Sequence, residues 1–146
     1  MPTTRPKRNW TVVVLGVIGM ALVIVTELLF HGYFDPGLFQ IKSVQWSSSK
    51  RVVVVAERSD HQALNSDVYF VLIGDHVFSP TELRHAYHSA ARIFAADGKC
   101  VTVHWQSPSK LVVTCSDSSI SRGDIDTQTN KRDGVAISYV NIPNTH

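Results

Sequence analysis

The chain has 146 residues, 44% of them apolar, a formal net charge of +2 and two cysteines. Once a long apolar run near the N-terminus is set aside, that length holds one small domain with a core of its own, not two. Arg5, Lys7 and Arg8 carry the positive balance, so the remainder is close to neutral, has no basic stripe to follow a phosphate backbone, and is not expected to bind nucleic acid.

Residues 1–9 read as a basic, cytoplasmic N-terminus. Trp10 to Phe30 is an unbroken apolar stretch apart from Thr11, Thr26 and Glu27. As a helix it reaches about 31 Å at about 1.5 Å per residue, close to the roughly 30 Å of a bilayer's hydrocarbon core. A helix satisfies its backbone internally, so a lone segment can cross lipid in this form. Trp10 at one end and Phe30, Tyr33 and Phe34 at the other, with Phe39 beyond, form an aromatic belt pattern, so the bilayer is the first expected partner. The positive-inside rule keeps residues 1–9 in the cytoplasm and exports the domain C-terminal to the span. A cleaved signal peptide is the competing reading, but the small residues Gly19-Met20-Ala21 sit mid-run and Thr26 to Tyr33 offers no cleavage site. No cysteine near the span could carry a lipid. Glu27, about a turn from the end, reads as an interfacial carboxylate rather than a functional one. Gly16 and Gly19 are three apart and form no small-xxx-small pair.

Residues 31–40 form a short juxtamembrane linker, since Gly32 and Asp35-Pro36-Gly37 interrupt any helix. The exported domain then spans 41–146. Ile41 to Trp46 is a strand, Ser47 to Lys50 a turn, and Arg51 to Arg58 a second strand. The continuous run Val52 to Val55 suggests that both faces are covered. Asp67 to Gly74 is a third strand, with Val68, Phe70 and Leu72 on one face and Tyr69, Val71 and Ile73 on the other. Ser79-Pro80-Thr81-Glu82 is a capping box with proline at the first helical position, and Phe78 and Leu83 are placed as a hydrophobic staple. It opens a helix over 80–97 that presents Leu83, Tyr87, Ala90 and Phe94 to a sheet and ends at Gly98.

Cys100 to Trp105 and Lys110 to Cys115 form a hairpin around Ser107-Pro108-Ser109. Pairing Trp105 with Leu111, Val103 with Val113 and Val101 with Cys115 gives one apolar face but turns Cys100 away from Cys115. A register one residue different brings the cysteines together but sets Trp105 against Lys110. An exported compartment favours a Cys100–Cys115 disulfide, so pattern and redox chemistry pull apart here, and a bulge could reconcile them. Asp133-Gly134 is a turn signal, and Val135 to Ile142 closes the chain as a strand with Val135, Ile137 and Tyr139 on one face. The expected class is α+β: one N-terminal transmembrane helix, then a small antiparallel sheet covered by one helix.

Trp46-Ser-Ser-Ser-Lys-Arg-Val-Val-Val-Val followed by Asp67-Val-Tyr-Phe-Val-Leu-Ile resembles a β-propeller blade. The later Val-His-Trp, Lys-Leu-Val-Val-Thr-Cys and Asp-Gly-Val-Ala-Ile-Ser-Tyr segments are similar to small bacterial membrane-anchored proteins and lipoproteins with a blade-like β domain. Ser47-Ser48-Ser49 replaces the Pro-Asp-Gly turn of such blades, and the 80–97 helix is foreign to them. The resemblance implies a bacterial envelope protein and transfers no activity and no site residues.

Glu82, His85 and His88 at i, i+3 and i+6 could clamp a metal from one helix, although the spacing is not His-Glu-x-x-His and Glu82 has a capping role. His104 with a nearby Ser or Asp117 could form a nucleophile system, but no nucleophile elbow or glycine-rich oxyanion loop accompanies it. No motif implies a cofactor or assigns a catalytic residue. The expected function is therefore non-enzymatic: a single-pass protein of a bacterial inner membrane whose exported, periplasmic domain binds another protein, in an accessory or immunity-like role. A metal- or small-ligand-binding sensor and a small envelope hydrolase are the alternatives.

Overall fold

The computed structural model describes residues 10–30, 35–60, 67–117 and 119–142. Trp10–Phe30 forms one uninterrupted helix, α1, of 21 residues. It is long and apolar enough to cross a membrane, and none of its apolar window is buried among the described residues. Thr26 would carry an unpaired hydroxyl in lipid, and its Oγ1 instead donates to the carbonyl of Leu22 at 2.7 Å.

After α1 come strands β1 (Leu38–Trp46), β2 (Val52–Ser59) and β3 (Val68–Gly74), helix α2 (Pro80–Tyr87), and strands β4 (Phe94–Asp97), β5 (Val101–Ser107), β6 (Lys110–Cys115), β7 (Ile125–Gln128), β8 (Lys131–Arg132) and β9 (Val135–Val140). They build two sheets, ordered β1-β2-β3-β4-β7 and β5-β6-β9-β8. The class is α+β with one apolar N-terminal helix, as the sequence suggests, but the strands divide between two sheets rather than one.

The division follows from the two faces of β2 and β3. Val53, Val55, Tyr69, Val71 and Ile73 share a core with Val103, Leu111, Val113, Val135 and Ile137 of the second sheet. Val52, Val54, Ala56, Phe70 and Leu72 share another with Leu83 and Ala86 of α2. The first sheet is thus the middle of three layers, which is why Val52 to Val55 form a continuous apolar run, all of it buried. The Tyr139 hydroxyl crosses between sheets and has the carbonyls of Ile93, at 3.1 Å, and Thr129 as acceptors for its one proton.

Helix α2 starts as its capping box demands, with both reciprocal Ser79–Glu82 bonds present. It does not run to residue 97. Ser89 Oγ donates to the Ala86 carbonyl at 3.0 Å and accepts from the Ala91 N–H at 3.2 Å, drawing backbone groups out of the helical pattern. Phe94 to Asp97 then pair with Val71 to Val68 as β4. The edge of β3 thereby gains backbone partners, and Phe94, Ala95 and Ala96 become fully buried. Gly98 ends a strand, not a helix: its φ is +103°, and a Cβ there would lie 2.8 Å from Ile120 Cδ1.

The linker is also shorter than 31–40, because Leu38 to Gln40 already pair with β2. The Asp133-Gly134 turn is present, with φ of 49° and 80°, and joins β8 to β9. Strand β9 pairs with β6 in parallel. The chain between them visits the first sheet as β7 before returning, which supplies the crossover that a parallel pair requires.

Candidate functional site

Among the described residues, a dense polar group gathers around Asp35, just ahead of β1. Asp35 precedes β1, and its side chain is only 3% exposed. Its Oδ1 accepts from the Gly37 N–H at 2.8 Å. Arg58, on β2, donates from Nε to Oδ2 at 2.8 Å and from Nη2 to Oδ1 at 2.7 Å, the two-pronged geometry that suits a guanidinium to a carboxylate. Its remaining Nη1 donates to Asp60 at 3.0 Å. Nε2 of His88, the C-cap of α2, lies 2.6 Å from Asp35 Oδ2. Gly37 makes the approach possible, because a Cβ there would lie 2.9 Å from Arg58 Nε.

An aromatic wall backs this group. The Tyr87 ring meets Phe39 at 5.7 Å and Phe70 at 5.2 Å, edge to face. The guanidinium groups of Arg58 and Arg92 stand over it at 5.4 and 5.0 Å. Arg92 continues to Asp126 on β7 at 2.7 Å. The Arg58 hydrogen bonds hold the Asp35 carboxyl well below the usual carboxylate range, with smaller help from Gly37 and His88 against the cost of burial. Asp35 in turn raises Arg58. Burial pushes the Tyr87 hydroxyl up, against the opposing pull of Arg58 and Arg92. Chemically this is a lock: it fastens the segment after α1 to β2 and to the end of α2.

The sequence candidates for a metal clamp and a nucleophile system are placed as follows. Glu82 is engaged at its cap by Ser79 and by Nε2 of His76 at 2.9 Å. The Ser79 backbone and hydroxyl, then His76, bring the Glu82 carboxyl down to about 2. His76 is raised by Asp75, 2.6 Å away, and by Glu82. The Ser79 hydroxyl donates to Glu82 rather than to an imidazole, so this exposed cluster has no activated nucleophile. His88 turns to Asp35, while His85 is exposed. Among the described residues no three His, Cys, Asp or Glu side chains could together hold a metal. His104 faces outward from β5 opposite Val112, and Asp117 accepts from the N–H and hydroxyl of Ser119 instead.

Cys100 and Cys115 are joined in a disulfide with their Cα atoms 4.6 Å apart. The hairpin nevertheless keeps the apolar register, Val101 opposite Cys115 and Trp105 opposite Leu111. Its one register shift lies between Trp105 and Ser107, far from the cysteines. Cys100 reaches Cys115 because it precedes β5 and escapes the strand's alternation: its N–H donates to the Gly98 carbonyl at 3.0 Å in a tight turn.

Of the aromatic belt, Trp10 is exposed at the start of α1 and Phe30 ends it. Tyr33 and Phe34 lie outside the described residues. Phe39 is not interfacial; it is buried against Phe70 and Tyr87 in the domain core. Sequence reasoning missed Asp35 and Arg58 as a pair. The one signal in the chain was the charged Glu57-Arg58 dipeptide closing an otherwise apolar strand. Comparison with family models, curated proteins and solved structures returned no match.

Proposed function

We propose that this chain is a single-pass, non-enzymatic protein of a bacterial cytoplasmic membrane that holds a binding domain close to the exported face, where it engages another protein. The observation that carries this reading is the Asp35 lock. Asp35 lies five residues beyond the last residue of α1, and its bonds to Arg58 and His88 make it already part of the folded domain. A domain fastened this near a bilayer is suited to a partner that is itself at the membrane surface. Export is supported by Arg5, Lys7 and Arg8 ahead of α1 and by the Cys100–Cys115 bond, which suits an oxidising compartment.

The test is purification of the full-length protein from native membranes in mild detergent, with mass spectrometry of what accompanies it. A stoichiometric companion, retained on dilution, is the expected result. A solitary protein of full mass, at several detergent strengths, would remove the binding role. Protease added to intact spheroplasts should digest residues 41–146 and spare α1; protection of the domain would reverse the orientation.

A further inference from the structure

Strands β1 and β5 are each the outermost strand of a sheet, hydrogen-bonded on one side only, to β2 and β6. Their ends are stitched together: Trp105 Nε1 donates to the Gln45 carbonyl at 3.2 Å, and Ser49 Oγ to the Pro108 carbonyl at 3.0 Å. Beside that stitch a cleft of about 260 Å³ lies between the strands, lined by Val55, Tyr69, Val101 and Val103 among others. That is below the roughly 300–1,000 Å³ of pockets for drug-sized ligands, but a few residues of extended chain need no more.

Lys42 and Lys99 line the cleft. The carboxylate behind them, Glu57, interacts with both, which leaves the group with one net positive charge. Lys42 is positioned from behind. Its ammonium lies 2.5 Å from Glu57, which is 6% exposed and also accepts from the buried Tyr69 hydroxyl. A carboxylate on the inter-sheet face of β2 is costly unless compensated, and its compensation draws one lysine to the cleft wall. Lys99 is exposed, and its charge also acts on Glu57.

The two edges differ. Strand β1 carries a register shift between Ile41 and Ser43, with Lys42 at the shift. A bulge with a lysine is a standard way of blunting an edge against further pairing. The stretch Val101 to Val103 of β5 pairs regularly with Cys115 to Val113 and leaves its other edge facing the cleft.

We propose that this cleft receives an extended, acidic segment of a partner protein. The segment adds as a strand to β5, its carboxylate meets Lys99 and Lys42, and its neighbouring apolar side chain rests on Val55, Val101 and Val103. This rests on the protein-binding reading above and names the partner's chemistry. The test places a photo-cross-linking benzophenone side chain at Thr102, which lines the cleft, or at Trp46, exposed on the far face of the first sheet. The full-length protein is irradiated in native membranes, and the cross-linked site is mapped. The expected result is one protein captured from position 102 through a stretch containing Asp or Glu, with yield falling at least about tenfold in a Lys99→Glu background, where like charges meet. Lys99 is exposed, and an unchanged denaturant-unfolding midpoint verifies that this variant keeps its fold. Capture from position 46 alone, an unchanged yield with Lys99→Glu, or cross-links from position 102 only to lipid or to a second copy of this chain would each overturn the cleft as the docking site. No protein captured from either position would overturn the binding reading as well.

Discussion

Asp35 and Glu57 are both carboxylates withdrawn from water, yet they are held by different chemistry. Asp35 is gripped by the planar fork of Arg58, the Gly37 N–H and the His88 imidazole. Glu57 has the Tyr69 hydroxyl on one side and the flexible stem of Lys42 on the other. A guanidinium loses little further freedom in forming two bonds, whereas an ammonium on a four-carbon stem can swing to water. The first arrangement is closed and suits an anchor point. The second faces a cleft and leaves one partner able to move.

The largest expected effect comes from breaking the closed arrangement. Asp35→Ala should cost about 3 kcal/mol, the lower end of the range for a broken buried pair, because Asp60 still faces Arg58. Denaturant unfolding of the full-length protein in detergent measures it, and a loss below about 1 kcal/mol would remove the lock. A reference that touches neither carboxylate is Cys100→Ala with Cys115→Ala. The closed loop spans 15 residues, so unfolding should become easier by about 3 kcal/mol or somewhat less. It should leave the spacing of domain from membrane unchanged, while Asp35→Ala should loosen it; fluorescence transfer from Trp46 to a bilayer dye, with Trp10 and Trp105 replaced by Phe in each chain, separates the two.

Glu57→Gln should cost only about 1 kcal/mol, since Lys42 is free to turn outward and an amide still accepts from Tyr69. A loss as large as that of Asp35→Ala would erase the contrast. The smallest effects near neutrality come from pH. Asp35 is held below its ordinary 3.8, so its contribution is complete above that value and is lost as pH falls through and below it. Asp35→Ala should therefore flatten the acid limb of the stability profile. Burial, then Glu57, pushes Tyr69 up from 10.0 to about 12, so its contribution is complete below pH 10 and is lost as pH rises toward 12. Tyr69→Phe should flatten the alkaline limb and leave the acid limb in place.

What the sequence determined by itself is what depends on neighbours along the chain. The apolar run of α1, the two faces of β3, the doubly covered Val52 to Val55, the Ser79–Glu82 cap and the Asp133-Gly134 turn follow from periodicity and local hydrogen bonding. The end of α2 did not. Leu83, Tyr87, Ala90 and Phe94 fit a helical face, and only the bare edge of β3 makes Phe94 to Asp97 a strand. The parallel β6–β9 pair, the reach of Cys100 to Cys115 and the cleft between β1 and β5 likewise join residues that local pattern leaves independent. Asp35 shows the reason most plainly. In the sequence it belongs to a turn before proline; its meaning comes from Arg58 and His88, 23 and 53 residues away, and no local preference encodes a meeting whose free energy exists only once three layers have closed around it.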